Sequence, residues 1–315
     1  MITSQMHPYI LAIEAEMQAL LSAPHPEVEP LYGMMRYHLG WVNDRFQPVR
    51  AMAGKRVRPL LCLLSCEAVG GQGDAAVPLA VGIELVHNFS LIHEDIEDCS
   101  PTRRHRPTVW AHWGVPQAIN VGDAMFALAR LAVHRLAERG VAPEVILLVL
   151  ARVEETCLAL CEGQFLDMTF ETDCEVSVAR YLRMIGGKTA SLLACATSGG
   201  ALVGAGPAGP HTLFRQFGYE LGMAFQVVDD ILGIWGDPKT TGKPAGDDIR
   251  HHKKTLPVLY AMEAFSAQGD RRLADILSQS SLSDADVAQA IALIGTTHAR
   301  ERASQLAQAH TERAL

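Results

Sequence analysis

The sequence predicts an all-α protein, and three observations support this fold class. Apolar residues recur at helical spacing along most of the 315-residue chain, and this period is the primary signal of amphipathic helices. Alternating strand patterns joined by tight turns are nearly absent. Segments 77–91 and 213–228 are apolar on nearly all sides, which is typical of helices surrounded by other helices. We therefore expect a single large domain over residues 1–315, with central helices and a surrounding layer.

The individual helices are predicted from periodicity and from their end signals. In the first, apolar residues recur from Ile10 to Leu20. Pro59 lies in the first turn of the second, where its missing N–H costs nothing. Gly140 ends the fourth, and Ser283 is the predicted N-cap of a late helix whose first turn carries acids. Besides the helix that begins at Ser283, the predicted helices cover residues 6–21, 58–69, 77–98, 117–138, 143–171, 177–185, 189–203, 213–235, 256–267 and 297–315.

Composition excludes several classes of protein. Hydrophobic residues make up 49% and charged residues 20%, which is globular usage and not that of a disordered chain. The net charge of −8 argues against a general nucleic-acid binder. We find no secretory signal and no uninterrupted apolar run of about 18 residues, so we expect no integral membrane segment. The seven cysteines form no CxxC pair, which favours free thiols and a cytoplasmic location.

Two acidic helix ends break the apolar pattern. The helix through residues 77–98 ends with Glu94, Asp95, Glu97 and Asp98. Glu94 and Asp98 share a face, and a helix C-terminus is the unfavourable end of the dipole for carboxylates. Asp229 and Asp230 likewise end a second long apolar segment. Carboxylates without a nearby His or Cys set favour a hard ion, so we expect Mg²⁺ here.

Basic residues accompany both acidic groups. Three arginines occur within 103–106, a Gly-Lys-Arg segment lies at 54–56, and Lys188 follows two glycines. Further basic residues follow the second acidic group: Lys239, Lys243, Arg250, Lys253 and Lys254. Acids for a metal together with separate cations suit two diphosphates, one bound through metal bridges and one through charge-assisted hydrogen bonds. The Gly-Lys-Thr at 187–189 lacks the upstream glycine and the preceding strand of a P-loop.

These motifs occur in the same order as in the trans-isoprenyl diphosphate synthases of the polyprenyl synthetase family, which the sequence therefore resembles. Within that family it resembles the geranylgeranyl diphosphate synthases in particular. The matching motifs run from Lys55 to Pro257 and cover most of the chain. They are GKRVRP at 54–59, EDIED at 94–98, RRHRPT at 103–108, GD at 122–123, GQ at 163–164, KTA at 188–190, FQVVDD at 225–230, GK at 242–243 and KKTLP at 253–257.

The resemblance implies an isoprenoid synthase-type helical bundle with a central cavity, a homodimer, and three Mg²⁺ ions when substrate is bound. It implies condensation of isopentenyl diphosphate with an allylic diphosphate. The metal ligands would be Glu94, Asp98 and Asp229, supported by Asp95 and Asp230. The allylic diphosphate would be held by Arg103, Lys188, Lys243 and Lys253. Thr189 and Gln226 would lie beside the allylic cation that forms when the diphosphate departs. Isopentenyl diphosphate would be held by Lys55, Arg58, His87 and Arg104.

The sequence departs from the family pattern at three positions. Glu94 replaces the first Asp of the first motif and places its carboxylate one methylene further out. Gly233 replaces the last Asp of the second motif, which removes a carboxylate. His105 replaces a glycine. These changes leave the site's other residues in place, but they bear on its efficiency because Mg²⁺ requires near-ideal octahedral geometry.

Product length and three alternative functions remain open. Phe89 and Ser90, five and four residues before Glu94, resemble the geranylgeranyl pattern, so we predict mainly a twenty-carbon product with fifteen carbons as the alternative. Phe89 would form the floor of the cavity, the surface that stops growth of the product chain. If Phe89 does not do so, this floor lies on the helix at 117–138. A farnesyl diphosphate synthase, a class I terpene cyclase and a weakly active partner subunit are the alternatives. A cyclase would not need the cations that hold isopentenyl diphosphate.

Overall fold

The computed structural model describes residues 6–49, 54–173, 175–237, 246–279 and 281–315. It confirms the all-α prediction. In chain order, the α-helices of the described residues are α1 His7–Leu20, α2 Glu29–His38, α3 Val57–Ala68, α4 Val77–Glu97, α5 Val109–Trp113, α6 Val115–His134, α7 Pro143–Thr172, α8 Val178–Ile185, α9 Ser191–Ala205, α10 His211–Trp235, α11 Asp247–Arg250, α12 Leu256–Ala267, α13 Arg272–Leu277, α14 Asp284–Gly295 and α15 Ala299–Ala314.

Most helix ends agree with the predictions within a few residues, and the differences have local causes. Ser283 caps α14 as predicted, in a capping box with Asp286. The segment predicted to start at 189 instead begins with a π-helical turn, Gly186–Ala190, before α9. The short helix α2 was not predicted, because Pro30 and Gly33 interrupt its pattern. Gly33 is required there, since a Cβ would lie 2.7 Å from the Phe46 ring.

The strands of the described residues are two short segments between α4 and α5. Thr102–Arg103 and Arg106–Pro107 pair in antiparallel register, and we call residues 102–107 the ribbon. The turn residues Arg104 and His105 have φ values of 52° and 61°. Both values lie in the left-handed region, as a two-residue hairpin turn of the primed type requires. His105 therefore occupies a conformation that the family's glycine would adopt without strain.

The chain divides into two compact units. The first contains residues 1–157 and 192–215. Its central helix α4 packs mainly on α6 and α3. Gly122 permits the close approach of α6, because a Cβ there would lie 2.1 Å from Nε2 of His93 on α4. Gly73–Glu97 is long and apolar enough to span a membrane by composition, but 78% of its most apolar window is buried inside the protein, as in a core helix.

The second unit contains residues 158–191 and 216–315. Its core includes the buried faces of α8, α10, α12, α14 and α15, with residues such as Tyr181, Val227, Leu259 and Ala303. Helix α12 packs on α15 and on α8. The predicted single domain over residues 1–315 stays a prediction.

Candidate active site

The first acidic group lies at the C-terminal end of α4. Asp95 is buried, with 2% exposure, whereas Asp98 is exposed. Arg103 on the ribbon donates from Nε to Asp95 Oδ1 (2.7 Å) and from Nη2 to Glu94 Oε2 (2.9 Å). Burial raises the pKa of Asp95 to about 6, against the opposing charge of Arg103. The structure therefore brings together two predicted metal ligands and a predicted diphosphate ligand.

The ribbon is fixed to the end of α2. Arg106 donates to the carbonyls of Tyr37 (3.1 Å) and Val42 (2.7 Å), and its guanidinium lies 4.0 Å from the centre of the Tyr37 ring. The Tyr37 hydroxyl donates in turn to the Pro107 carbonyl (2.9 Å). These contacts occupy Arg106 and leave Arg103 and Arg104 as the ribbon's candidates for anion binding.

Three of the four residues predicted to bind isopentenyl diphosphate lie close together. Arg58 Nη1 is 3.5 Å from His87 Nε2. The Arg104 guanidinium lies beside Gly54, since a Cβ at that glycine would be 3.3 Å from Arg104 Nη2. Gly54 directly precedes Lys55, which is exposed. Burial and the charges of Arg58 and Arg104 hold the pKa of His87 well below its usual range. Among the described residues, no carboxylate pairs with Arg58 or Arg104, so this cluster suits an anion.

In the second unit, a hydrogen-bonded network connects five residues. Thr189 Oγ1 donates to Gln226 Oε1 (2.9 Å), and Gln226 Nε2 donates to Asp230 Oδ1 (3.0 Å). Asp230 Oδ2 also accepts from the Tyr181 hydroxyl (2.5 Å) and from the backbone N–H of Leu256 (3.2 Å). Burial raises the pKa of Asp230 to about 7, although these donors oppose the shift. Asp230 therefore fixes the orientation of the Gln226 amide.

Lys188 lies on the π-helical turn, and such turns often occur at functional sites. Its Nζ donates to Asp167 Oδ2 on α7 (2.6 Å). The predicted Gly163 motif is explained by packing, because a Cβ at 163 would lie 2.4 Å from the Lys188 backbone nitrogen. Gly187 similarly avoids the Ala159 carbonyl, at 2.6 Å from a would-be Cβ. These two glycines let α7 lie directly against the turn that carries Lys188.

The second acidic group divides into an exposed and a buried residue. Asp229 is exposed, whereas its neighbour Asp230 is 2% exposed. At Gly233, where the family has a further Asp, a Cβ would lie 1.9 Å from Asp248 Oδ2 and 2.6 Å from its Cγ. The Asp248 carboxylate thus occupies the space that a side chain at 233 would need.

We expect Gly233→Ala to be less stable than a matched Gly→Ala control, because the added methyl group must displace the half-buried Asp248 carboxylate. This displacement offsets the gain of up to about 1 kcal/mol that alanine brings over glycine in a helix. Thermal and urea unfolding should show this difference. The matched control is Gly295→Ala, since a Cβ at 295 meets nothing within 4 Å and alanine is the better helix former. Equal stability of the two variants would show that Asp248 moves aside at no cost.

The remaining predicted lysines differ in environment. Lys253 is exposed and Lys243 lies outside the described residues. The adjacent Lys254 donates from Nζ to the Phe170 and Asp173 carbonyls at the end of α7. Contacts of this kind stabilise a helix C-terminus. Lys254 therefore has a structural role, unlike the diphosphate binding predicted for Lys253.

The predicted chain-length residues lie on α4. Phe89 is 7% exposed, and its ring packs edge-on against Phe126 of α6, with centroids 4.7 Å apart. Ser90 is half-buried, and its hydroxyl donates to the His87 carbonyl (2.8 Å). The guanidinium of Arg130 covers the Phe126 ring at 3.3 Å from its centroid. The floor predicted on α4 and the alternative predicted on the helix at 117–138 are therefore in direct contact.

Sequence reasoning missed four residues of these clusters, namely His38, Asp167, Tyr181 and Asp248. His38 lines a small pocket with Arg103, Arg104 and Asp95. Asp167 and Tyr181 lie in predicted helices, where nothing in the neighbouring sequence distinguishes them. Asp248 is next to another aspartate in a polar segment, which gives no distinguishing signal.

The acidic residues suit an ion held jointly with a substrate. Among the described residues, no three His, Cys, Asp or Glu side chains converge as a closed metal cage. Mg²⁺ usually keeps several waters and takes one or two carboxylates together with substrate phosphates. Exposed Asp98 and half-buried Glu94 in the first unit are oxygen donors of the right kind for that mode of binding, and so, in the second unit, is exposed Asp229.

Comparisons with known proteins agree on one family. The profile of the family described as polyprenyl synthetase matches residues 40–294. The geranylgeranyl diphosphate synthase of Mycobacterium tuberculosis is 42% identical over 277 residues, which cover 87% of this chain and 78% of the relative. The (2E,6E)-farnesyl diphosphate synthase of Mycobacterium bovis is 40% identical over 294 residues, 92% of this chain and 79% of the relative. The crystal structure of a polyprenyl synthetase from Streptomyces coelicolor superposes with a TM-score of 0.89 at 38% identity, covering 98% and 90% of the two chains.

Proposed function

The chain belongs to the polyprenyl synthetase family and is a short-chain trans-prenyltransferase, and from this premise we propose that it makes mainly geranylgeranyl diphosphate from isopentenyl diphosphate and an allylic diphosphate. The observation that carries the proposal is the cluster of Arg58, His87 and Arg104. This cluster offers hydrogen-bond donors to a diphosphate and contains no carboxylate that could hold a metal. The end of α4, in contrast, offers carboxylates. Two diphosphates that bind in different ways need both kinds of site.

Glu94, Asp98 and Asp229 are the proposed Mg²⁺ ligands, with Asp95 and Asp230 as supporting residues and three ions bound in the presence of substrate. Bound Mg²⁺ would neutralise the charge that develops on the departing diphosphate. Asp230 acts through Gln226, because its carboxylate is buried and already accepts three hydrogen bonds. Glu94 and Asp95 currently pair with Arg103, so a metal at these carboxylates would release that guanidinium to the diphosphate.

The cationic side chains bind the two substrates. Arg103, Lys188, Lys243 and Lys253 are assigned to the allylic diphosphate, and Lys55, Arg58, His87 and Arg104 to isopentenyl diphosphate. Charge-assisted hydrogen bonds of this kind are about twice as strong as neutral ones. Thr189 and Gln226, fixed by their mutual hydrogen bond, provide oxygen dipoles that stabilise the allylic cation. The departing diphosphate accepts the proton lost from the new carbon chain, so no side-chain base is needed.

One experiment separates this reaction from that of a class I terpene cyclase. Purified protein is incubated with Mg²⁺ and farnesyl diphosphate, with and without isopentenyl diphosphate, and released inorganic diphosphate is measured. We expect release only when both substrates are present. Release from farnesyl diphosphate alone would support the cyclase. No release in either mixture, followed by stimulation of a separate active synthase, would support the role of a partner subunit.

Product length is proposed to be set by Phe89 with Phe126. Since the two rings are in contact, removal of either should deepen the floor, and we expect Phe89→Ala and Phe126→Ala to shift the main product beyond twenty carbons. Ser90→Phe should shift it to fifteen. Mass analysis of the products checks this, with Phe165→Ala as control because Phe165 is 68% exposed. Unchanged products in both core variants would place the floor elsewhere. A fifteen-carbon wild-type product is the second candidate, as one relative named above is a farnesyl diphosphate synthase.

We also propose a homodimer located in the cytoplasm. In the first unit, α6 and the start of α7 carry exposed apolar side chains, among them Val115 (40%), Ile119 (45%), Leu147 (67%) and Leu148 (42%). Exposed apolar residues on neighbouring turns are typical of protein–protein interfaces. Light scattering of the purified protein should give twice the mass of one chain, and the mass of a single chain would contradict the dimer.

A further inference from the structure

We propose that His38 is a further ligand of isopentenyl diphosphate and that its ring Nε2 donates a hydrogen bond to the diphosphate bound beside Arg104. This inference rests on the proposed function, since it adds one residue to the isopentenyl diphosphate site. It differs from the family motifs, because His38 lies before all of them in the sequence and none of them includes it.

The position of His38 at the pocket wall is fixed by its neighbours. It is the last residue of α2, directly after Tyr37, whose hydroxyl and carbonyl are both held by the ribbon. The ribbon also carries Arg103 and Arg104, which line the same pocket as His38. His38 is also close enough to His87 for a charge on its ring to lower the pKa of His87. The residue is therefore adjacent to the cluster assigned to isopentenyl diphosphate.

The ring nitrogen Nε2 of His38 lacks a hydrogen-bond partner. It is shielded from solvent and makes no hydrogen bond of good geometry in the part of the chain that the structure describes. The ring's weaker side-chain hydrogen bond is with Asn88. Nε of Arg58, in the neighbouring cluster, is also buried without a partner. Buried polar groups are nearly always hydrogen-bonded, so such exceptions need an explanation. An oxygen-rich anion would provide acceptors for both donors.

The charges around His38 explain why a histidine suits this place. Arg103, Arg104 and Arg106 face it from the ribbon, His87, Asn88 and Asp95 lie on α4, and Tyr37 lies on its own helix. Burial and then the charges of Arg104 and Arg103 lower its pKa to about 3, and a hydrogen bond with the Asn88 side chain opposes this shift. The ring is therefore neutral near pH 7. A neutral N–H adds a donor to the site without adding another positive charge to crowded guanidinium groups.

The test measures isopentenyl diphosphate binding by calorimetry in EDTA, where no metal bridges the diphosphate. His38→Phe keeps an aromatic ring of similar size but removes both ring nitrogens. We expect its dissociation constant to rise roughly tenfold or more, as for a lost hydrogen bond to a charged group, while KM for the allylic primer stays within about twofold. His38→Gln retains an amide donor and should recover most of the affinity. His134→Phe is the control, since His134 is exposed at the end of α6.

Three results would overturn the inference: wild-type affinity in His38→Phe, equal weakening of both substrates, or no recovery in His38→Gln. Should the phenylalanine variant fail to fold, His38→Ala gives the same test, because a smaller side chain leaves the helix end intact. Failure of the proposed function would give a different result from failure of the His38 inference. In that case the wild-type protein itself neither binds isopentenyl diphosphate nor converts it, whereas failure of the His38 inference leaves wild-type binding and turnover intact.

Discussion

Asp98→Asn should lower turnover on the order of a thousandfold, the largest effect on catalysis that we expect from a single substitution. Asp98 is an exposed carboxylate at the end of α4 and a proposed metal ligand. Its loss weakens the ion that stabilises the departing diphosphate, a type of contribution commonly worth 10²–10³ in rate or more. Because the residue is exposed and the replacement is nearly isosteric, the fold should be retained. Steady-state kinetics at saturating substrates and circular dichroism measure the two effects.

The matched control is Glu97→Gln, which removes the adjacent exposed carboxylate that has no assigned role in metal binding. It should retain most of the activity. EDTA should abolish turnover of the wild-type protein, and added Mg²⁺ should restore it. Equal losses in Asp98→Asn and Glu97→Gln would indicate a general charge effect, and undiminished turnover in EDTA would contradict a metal-dependent reaction.

Asp230→Ala should cause the largest loss of stability, whereas Asp229→Ala should cause almost none. Asp230 is buried and accepts hydrogen bonds from Tyr181, Gln226 and Leu256. Each buried donor that loses its acceptor costs about 1–3 kcal/mol, so we expect a total on the order of 3 kcal/mol or more. Asp229 is exposed, and surface substitutions usually change stability by less than about 0.5 kcal/mol.

Urea unfolding of the two variants, combined with activity assays, separates their roles. Asp229→Ala should keep wild-type stability and lose activity, because it removes a proposed metal ligand. Asp230→Ala should lose both, because the Gln226 amide also loses its anchor. If the two variants were equally stable, the buried hydrogen-bond network would contribute little, and the distinction between the two adjacent aspartates would be wrong.

The fold and much of the candidate site could be predicted from sequence because they depend on local patterns. Helical periodicity located most of the long helices, and Ser283 identified the start of α14. The cluster of Arg58 and His87 followed from ordered motifs, and the structure brings the two residues into contact. The π-helical turn before α9 was not predicted, because a shift in backbone hydrogen bonding leaves no mark on apolar periodicity.

Contacts between distant residues that belong to no recognised motif could not be predicted. Tyr181 lies 49 positions from the aspartate that it contacts, and nothing in its own helix distinguishes it from a core tyrosine. His38 falls in a short helix that periodicity missed, so its place beside Arg104 emerges only from the packing of α2 on the ribbon. The sequence marks Gly233 as a lost carboxylate, while the structure explains it as space for Asp248.

The most direct test of the proposed function is the identity of the product. Purified protein is incubated with Mg²⁺, isopentenyl diphosphate and, in separate reactions, dimethylallyl, geranyl or farnesyl diphosphate, and the dephosphorylated products are identified by mass and by comparison with all-trans standards. We predict geranylgeraniol as the main product from each primer. Absence of any condensation product, or a main product of another length, would contradict the proposal.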